Sequence, residues 1–150
     1  MSNQRRPMVA RDTVAEWAVA AAQAADEKNG TNTLILEVGK VLAITDMFVV
    51  TSATSSRLVR TIADEVELKV RAAGGGEPLR IEGLRDATWV LLDYGDLVVH
   101  IFTEEMRAFY EIERLYKDVP LVPFMPFMPR SVATAPSLSD SLRSDNPESE

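Results

Sequence analysis

Five short apolar runs, with three helical patterns around them, limit the folds open to this chain. The runs are rich in β-branched and aromatic residues, which is typical of strands. They cover residues 33–38, 47–51, 79–82, 89–92 and 97–103. The predicted order is αββαβββα, so helices separate the strands only in places. We therefore predict an α/β (α+β) single domain with a mixed sheet flanked by helices, rather than a doubly wound parallel sheet.

Apolar residues at helical spacing set the bounds of the three predicted helices. The first should be capped by Thr13, which stands at capping-box spacing from Glu16. The second should begin within residues 52–56, where serine and threonine offer several N-caps, and end at the glycines of residues 74–76. The third should span residues 104–116, with acidic side chains in its first turns, where the helix dipole favours them.

The composition changes sharply after Pro120. Prolines recur through the next ten residues, and residues 131–150 are polar and rich in serine. Such a composition disfavours a packed core. We expect a flexible N-terminal arm over residues 1–11, one folded domain over residues 12–120, and a disordered Pro/Ser-rich tail over residues 121–150.

Several classes of protein are excluded by composition. The chain has no cysteine, so it has neither a disulfide framework nor a thiolate metal site. It has no apolar run of about 18 residues that could span a membrane and no secretory signal. Its net charge of −7 disfavours nonspecific binding to nucleic acid, which needs clustered Lys and Arg. We expect a cytoplasmic protein whose partner is a protein.

The segment from residue 86 to residue 118 is acidic and aromatic. It holds eight acidic side chains against three basic ones. Six rings interleave with the acids: Trp89, Tyr94, Phe102, Phe109, Tyr110 and Tyr116. Aromatic residues surrounded by charge are typical of an interface, and the acids would steer a basic partner. The alternative is a solvated face with the rings in the core; Phe109 and Tyr116 are our favoured core residues and Tyr94 our favoured surface residue.

Catalytic patterns are weak. Asp93 and Asp96 could hold magnesium, but paired carboxylates normally project from one strand two residues apart, and these are three apart across a predicted turn. His100 stands alone among apolar neighbours, without partners for a metal site. The chain has no G-x-S-x-G element, and the glycines of residues 74–76 lack the Lys-Ser/Thr of a phosphate loop. We predict no metal, no cofactor and no enzymatic activity.

One specific set of residues connects this chain to a known family. The set comprises Asp46, Phe48, residues 51–57, Glu82, Gly83, Trp89, residues 92–96, residues 99–102, Arg107, Phe109, Tyr110, Glu113 and Leu115. Residues 13–120 resemble the Iojap family, the ribosomal silencing factors. Tyr116 stands where the family often has tryptophan, and the tail lies outside the resemblance.

The resemblance implies a fold and a function. The fold is a mixed five-stranded sheet related to nucleotidyltransferases, without their catalytic signature. Members are implied to bind the large ribosomal subunit through ribosomal protein L-fourteen, and so to block subunit joining and repress translation when nutrients are short. The alternatives are a magnesium-dependent nucleotidyltransferase-like enzyme that uses Asp93 and Asp96, and a homodimer that buries the acidic, aromatic surface against a second copy.

The resemblance also implies the contact residues. The expected contact surface for the ribosomal protein comprises Trp89, Asp93, Tyr94, Asp96, His100 and Phe102, with Glu104 and Arg107 as second choices.

Overall fold

The computed structural model describes residues 9–126. Within them the elements are α1 (Arg11–Glu27), β1 (Thr31–Glu37), β2 (Met47–Ala53), α2 (Ser56–Ala72), β3 (Arg80–Glu82), β4 (Trp89–Asp93), β5 (Leu97–Thr103), α3 (Glu104–Tyr110) and α4 (Ile112–Leu115). Neither of the two long helices in this range is apolar enough to cross a bilayer.

The five strands form one sheet in the order β1-β2-β5-β4-β3. The central strands β2 and β5 are parallel, whereas every other neighbouring pair is antiparallel. The predicted mixed five-stranded sheet in a single α+β domain is therefore confirmed. Because β2 and β5 are parallel, the chain must cross over between them, and α2, β3 and β4 lie on that crossover.

The two long helices pack side by side on one face of the sheet, which we call the helix face. Small side chains let α1 lie close to the strands, since Ala18, Ala21, Ala22 and Ala25 are fully buried. The amphipathic helix α2 contributes Val59, Ile62, Val66 and Val70 to the same core. Most of the apolar burial is therefore on this face, which leaves the opposite face less covered.

The start of α2 is fixed by one side chain. Ser55 has an extended backbone, and its Oγ accepts a hydrogen bond of 3.1 Å from the amide of Leu58. We expect Ser55→Ala to lower the free energy of unfolding by about 1 kcal/mol, because that amide loses its partner. Urea denaturation measures the change, with Thr54→Ala as the control at an exposed neighbour. Equal stability of the two variants would refute the cap.

Helix α1 begins two residues before the predicted cap at Thr13. The carbonyl of Ala10 accepts hydrogen bonds from the amides of Thr13 and Val14, so Ala10 is the N-cap and Thr13 lies in the first turn. Arg11, assigned by sequence to the flexible arm, is helical and pairs with Glu37 of β1. Contact with the sheet thus accompanies the earlier start of the helix. Residues 1–8 of the expected flexible arm lie outside the described range.

The predicted third helix is broken in two. Glu111 adopts a left-handed conformation, with φ of 48° and ψ of 49°, between α3 and α4. Its amide donates to the carbonyl of Arg107 at 2.8 Å, which closes α3 before the chain turns. The left-handed conformation is energetically unfavourable for a residue other than glycine. The break is therefore better explained by the packing of α3 and α4 on the sheet than by the local preference of Glu111.

The chain after Pro120 runs along the outer edge of β1. The carbonyl of Pro120 accepts from the amide of Glu37, and the amide of Val122 donates to the carbonyl of Ile35, each at 2.9 Å. Val122 and Phe124 also pack against the core. The expected start of the tail at residue 121 is therefore too early, because residues 121–126 cover a strand edge that would otherwise be open. Residues 127–150 lie outside the described range.

Candidate protein-binding face

The sheet face opposite α1 and α2 carries the candidate site, and we call it the open face. The short helices α3 and α4 cover only part of it. Alternation along the strands places Trp89, Leu91 and Asp93 of β4 here, beside Val98, His100 and Phe102 of β5. A half-covered apolar sheet face in a small protein is a candidate for contact with another molecule.

A continuous row of six rings crosses the open face. The neighbouring ring centroids lie 4.5 to 6.1 Å apart in the order Tyr116, Phe48, His100, Trp89, Tyr110 and Phe109. Phe102 lies beneath the row and stacks on Trp89 at 4.7 Å. Edge-to-face and offset contacts between aromatic rings are energetically favourable, so neighbouring rings in the row stabilise each other's positions. The row is buried at its centre and emerges at Phe109, which is 75% exposed.

Trp89 and His100 form the polar contact at the centre of this row. The indole Nε1–H of Trp89 donates to Nδ1 of His100 at 3.2 Å. His100 is 5% exposed, and its burial lowers the pKa of the imidazole to about 4, with Asp93 opposing the shift weakly. The ring is therefore neutral at physiological pH, and because Nδ1 accepts a hydrogen bond, its proton is on Nε2.

The exposed end of the row lies next to the break at Glu111. Helix α3 ends at Tyr110, whose ring lies 4.8 Å from that of Trp89 and is 46% exposed. Beyond the break, α4 buries Ile112 against the open-face core. Phe109 and Tyr110 are the last two residues of α3 and lie at the surface directly before the left-handed residue.

Arg107 fixes α3 and α4 to the sheet. Its Nη1 donates to the carbonyl of Thr31 at 3.0 Å and to Oγ of Ser52 at 3.1 Å, while its Nε donates to Oε2 of Glu113 at 3.1 Å. The side chain is buried, and hydrogen-bonded burial of a guanidinium is costly to disrupt. Arg107, expected from the resemblance as a second-choice contact residue, is thus buried and connects α3 to β1 and β2.

The eight expected contact residues take different places in the structure. Glu104 is exposed, and Trp89, Asp93 and Asp96 are half-buried. His100, Phe102 and Arg107 are buried at the open face or its edge. Tyr94 lies on the other side of the sheet, in the core beside α2. Most of the residues that the resemblance implied are therefore buried or half-buried, because a buried residue and a contact residue look alike in one sequence.

Tyr94 is the clearest correction. It is 1% exposed and belongs to the core between the sheet and α2, where burial raises the pKa of its phenol above its ordinary value. The prediction that it lies on the surface is wrong. The alternation of residues along β4 could have indicated this burial. Val90 and Leu92 point to the helix face, and Tyr94 follows two residues later on the same side. The opposite error concerns Phe109, which we predicted to lie in the core and which is exposed. Tyr116, also predicted to lie in the core, is half-buried.

Asp93, one of the two aspartates expected either to bind a partner or to hold magnesium, has a structural role. Oδ1 of Asp93 accepts from the amide of Gly95 at 2.8 Å, which closes the turn between β4 and β5. Its Oδ2 lies 3.3 Å from Arg80. Asp96 lies beside Asp46, whose pKa is raised by burial and by the Asp96 charge. No cluster of three acidic or histidine side chains suited to a metal occurs within residues 9–126.

Sequence reasoning missed the apolar residues that border the open face. Ile44 and Leu79 are exposed, at 81% and 61%, and line a cavity on this face together with Leu91. Ile44 stands in the connection between β1 and β2, where the period of a strand or helix gives no information about burial; its only signal was a large aliphatic residue in a loop, which is unusual but not specific. Leu79, predicted to begin the third strand, lies just before β3 in the connection from α2.

Acidic side chains border the open face. Glu105 is exposed on α3, and Glu82 lies on β3 at the edge of the sheet, paired with Leu91. Arg80 is engaged by both Glu82 and Asp93, so it does not offset the remaining acids. The face therefore combines an apolar, aromatic centre with a negative rim, which suits a basic protein partner.

Comparisons with known proteins identify a family for this chain. The profile of the family described as "Ribosomal silencing factor during starvation" matches residues 11–149. A ribosomal silencing factor from Halalkalibacterium halodurans is 38% identical over 102 residues, which are 68% of this chain and 86% of that protein. The Bacillus subtilis factor is 35% identical, over 67% of this chain and 85% of its own.

Solved structures give the same result. A crystal structure of a Chromobacterium violaceum protein is similar with a TM-score of 0.66 and 30% identity, and covers 69% of this chain and 86% of its own. A crystal structure of a protein from Bacillus halodurans is similar with a TM-score of 0.60 and 34% identity, and the match covers 75% of this chain and 99% of that one. From the match of the family profile and from these relatives, the chain belongs to the ribosomal silencing factor family.

Proposed function

We propose that this protein binds the large ribosomal subunit through ribosomal protein L-fourteen and thereby blocks subunit joining. Translation is then repressed under nutrient limitation, in the cytoplasm. The observation that carries the proposal is the open face, where a row of rings emerges at Tyr110 and Phe109 inside an acidic rim. Ribosomal proteins are basic, so the charges are complementary. A mouse relative, 29% identical, is named for mitochondrial assembly of the ribosomal large subunit.

The proposed inhibition is steric and uses no catalysis. A bound protein of this size prevents the small subunit from reaching the same surface. The contact itself would be made by Tyr110, Phe109 and Trp89, with Glu104 and the half-buried Asp93 and Asp96 at the rim. Phe102 and Arg107 support the face from below, and His100 lies at its centre.

A nucleotidyltransferase-like activity has less support. The carboxylate of Asp93 accepts a hydrogen bond from Gly95 and pairs with Arg80. It is therefore not free to coordinate a magnesium ion beside a triphosphate. Calorimetry with ATP and magnesium tests the alternative: we expect no heat of binding and no loss of nucleotide. A homodimer through the open face is tested by light scattering over a range of concentrations.

The binding proposal is tested by cosedimentation with isolated large subunits. Tyr110→Ala should weaken binding about tenfold or more, as expected for an aromatic residue near the centre of an interface. The unfolding free energy should change by no more than about 1 kcal/mol, because the ring is half exposed. The fraction bound is read at several protein concentrations, and raised salt should weaken binding by the wild type.

The matched control is Leu68→Ala. Leu68 is 54% exposed on α2, on the far side of the sheet, so its loss should leave binding unchanged. If the wild type fails to bind large subunits and fails to inhibit subunit joining at saturation, the proposed function is wrong. If Leu68→Ala alone weakens binding, the contact is on the helix face instead.

A further inference from the structure

We propose that the cavity between His100, Thr45 and Leu79 is an anchor pocket of the open face. It would receive one apolar side chain of the basic ribosomal partner, together with a hydrogen-bonding group beside it. This inference rests on the proposed function and adds to it the chemistry of one subsite.

The cavity has a volume of about 340 Å³ and lies at the end of the open face formed by the turn between β4 and β5. Its apolar walls come from β2, β4, β5 and the two connections that approach them: Leu42, Ile44, Phe48, Leu79, Leu91 and Val98. A space of this size accommodates a large side chain. Two walls, Ile44 and Leu79, stand exposed at the mouth and would be covered on binding.

Two of the residues that line the cavity each have a buried polar atom that lacks a partner within residues 9–126. These atoms are Nε2 of His100 and Oγ1 of Thr45. Both residues line the cavity, and both are 5% exposed. Buried polar groups are nearly always hydrogen-bonded, so two such groups in one cavity call for a specific partner.

The chemistry of that partner follows from Trp89. Its indole N–H occupies Nδ1 of His100, so Nε2 carries the proton and can only donate. Thr45 can donate or accept through its hydroxyl. The occupant must therefore offer an acceptor oxygen, such as a hydroxyl or a main-chain carbonyl, close to its apolar group. Trp89 acts as a positioning residue that sets the direction of this hydrogen bond.

The charge at the mouth favours a protein occupant of basic character. Asp93 and Arg80 line the cavity and pair with each other at 3.3 Å, while Glu82 pairs with Arg80 on its other side. The lining itself is balanced in charge, and with Glu82 beside it the local group of two acids and one base is negative. A hydrophobic side chain in a basic segment satisfies both the apolar walls and this rim.

The test is Thr45→Val, which removes the hydroxyl and keeps the shape of the side chain. In the free protein we expect the melting temperature to rise by a few degrees, because an unpartnered buried hydroxyl is replaced by a methyl group. In cosedimentation with large ribosomal subunits we expect the Kd to rise about three- to tenfold, because the complex loses a hydrogen bond. A hydroxyl with a purely structural role would not give these opposite effects.

Two further variants complete the design. Leu79→Ala removes an exposed wall of the cavity and should raise the Kd without lowering the melting temperature. Thr61→Val, on α2, removes a hydroxyl bonded to the carbonyl of Arg57, and should leave binding unchanged. Nitrogen NMR of the His100 ring should show the Nε2–H tautomer in the wild type and its loss in Trp89→Phe.

Each outcome decides a separate point. If the wild type binds and Thr45→Val binds equally well, the pocket is not used, although the proposed function stands. A lower melting temperature of Thr45→Val would also overturn the inference, because the hydroxyl would then have a stabilising partner in the free protein. If the wild type does not bind large subunits, the proposed function fails and the anchor pocket fails with it.

Discussion

Tyr94→Ala is expected to lower the free energy of unfolding by about 3–5 kcal/mol, the range for removing a large ring from a packed core. The ring is 1% exposed and fills the space between the turn at Gly95 and the residues of α2. Its loss leaves a cavity that the surrounding β-strands and helix can close only in part. Urea denaturation measures the effect as a lower midpoint with an unchanged m-value.

Tyr110→Ala is the matched control for this prediction. Both variants remove the same ring, but Tyr110 is 46% exposed on the open face. Tyr94→Ala should affect stability, whereas Tyr110→Ala should affect binding of the ribosomal subunit. Equal stability of the two variants would show that Tyr94 does not belong to the core.

The second large effect is the dependence of stability on pH. The pKa of His100 is about 4 in the folded protein, against an ordinary value of 6.5. Between these values the unfolded chain binds the proton more readily than the folded one, so stability falls as the pH falls. The loss begins near pH 6.5, is nearly complete near pH 4, and amounts to about 3 kcal/mol. Urea denaturation at pH 7 and at pH 4.5 should show most of this loss as a difference in the free energy of unfolding.

The contribution of His100 is isolated by comparison with His100→Gln, which cannot titrate. Asp46 and Glu67 have raised pKa values, chiefly through burial, so they add stability as the pH falls and oppose the histidine. These groups are common to both proteins and cancel in the difference. If wild type and variant lose stability in parallel from pH 7 to pH 4.5, the imidazole is not buried in its neutral form.

Much of the fold was predictable because it follows from local periodicity. The five apolar runs became β1 to β5, and the amphipathic pattern after Ser55 became α2. Helix ends were harder to predict. The start of α1 at Arg11 depends on contact with β1, and the break at Glu111 has no strong local signal, since glutamate is not a residue that favours the left-handed region.

The candidate site was only partly predictable. The acidic and aromatic composition identified the segment that forms much of the open face, and the resemblance named Trp89, His100 and Phe102 at its centre. The exposed surface was missed because exposure depends on what packs against a residue. Phe109 is exposed because α3 ends one residue later, and Ile44 because no helix covers the connection in which it lies.

The sequence by itself determined the strands and long helices, the family and the excess of acidic charge around the aromatic segment. Each depends on residue type and spacing, which a sequence contains in full. Only the tertiary structure decided which rings lie on the open face. Neighbouring strand residues point to opposite faces, and α1 and α2 cover one face whereas α3 and α4 leave the other partly open. Tyr94 and Trp89 therefore have opposite roles, although they lie five residues apart in the same aromatic segment.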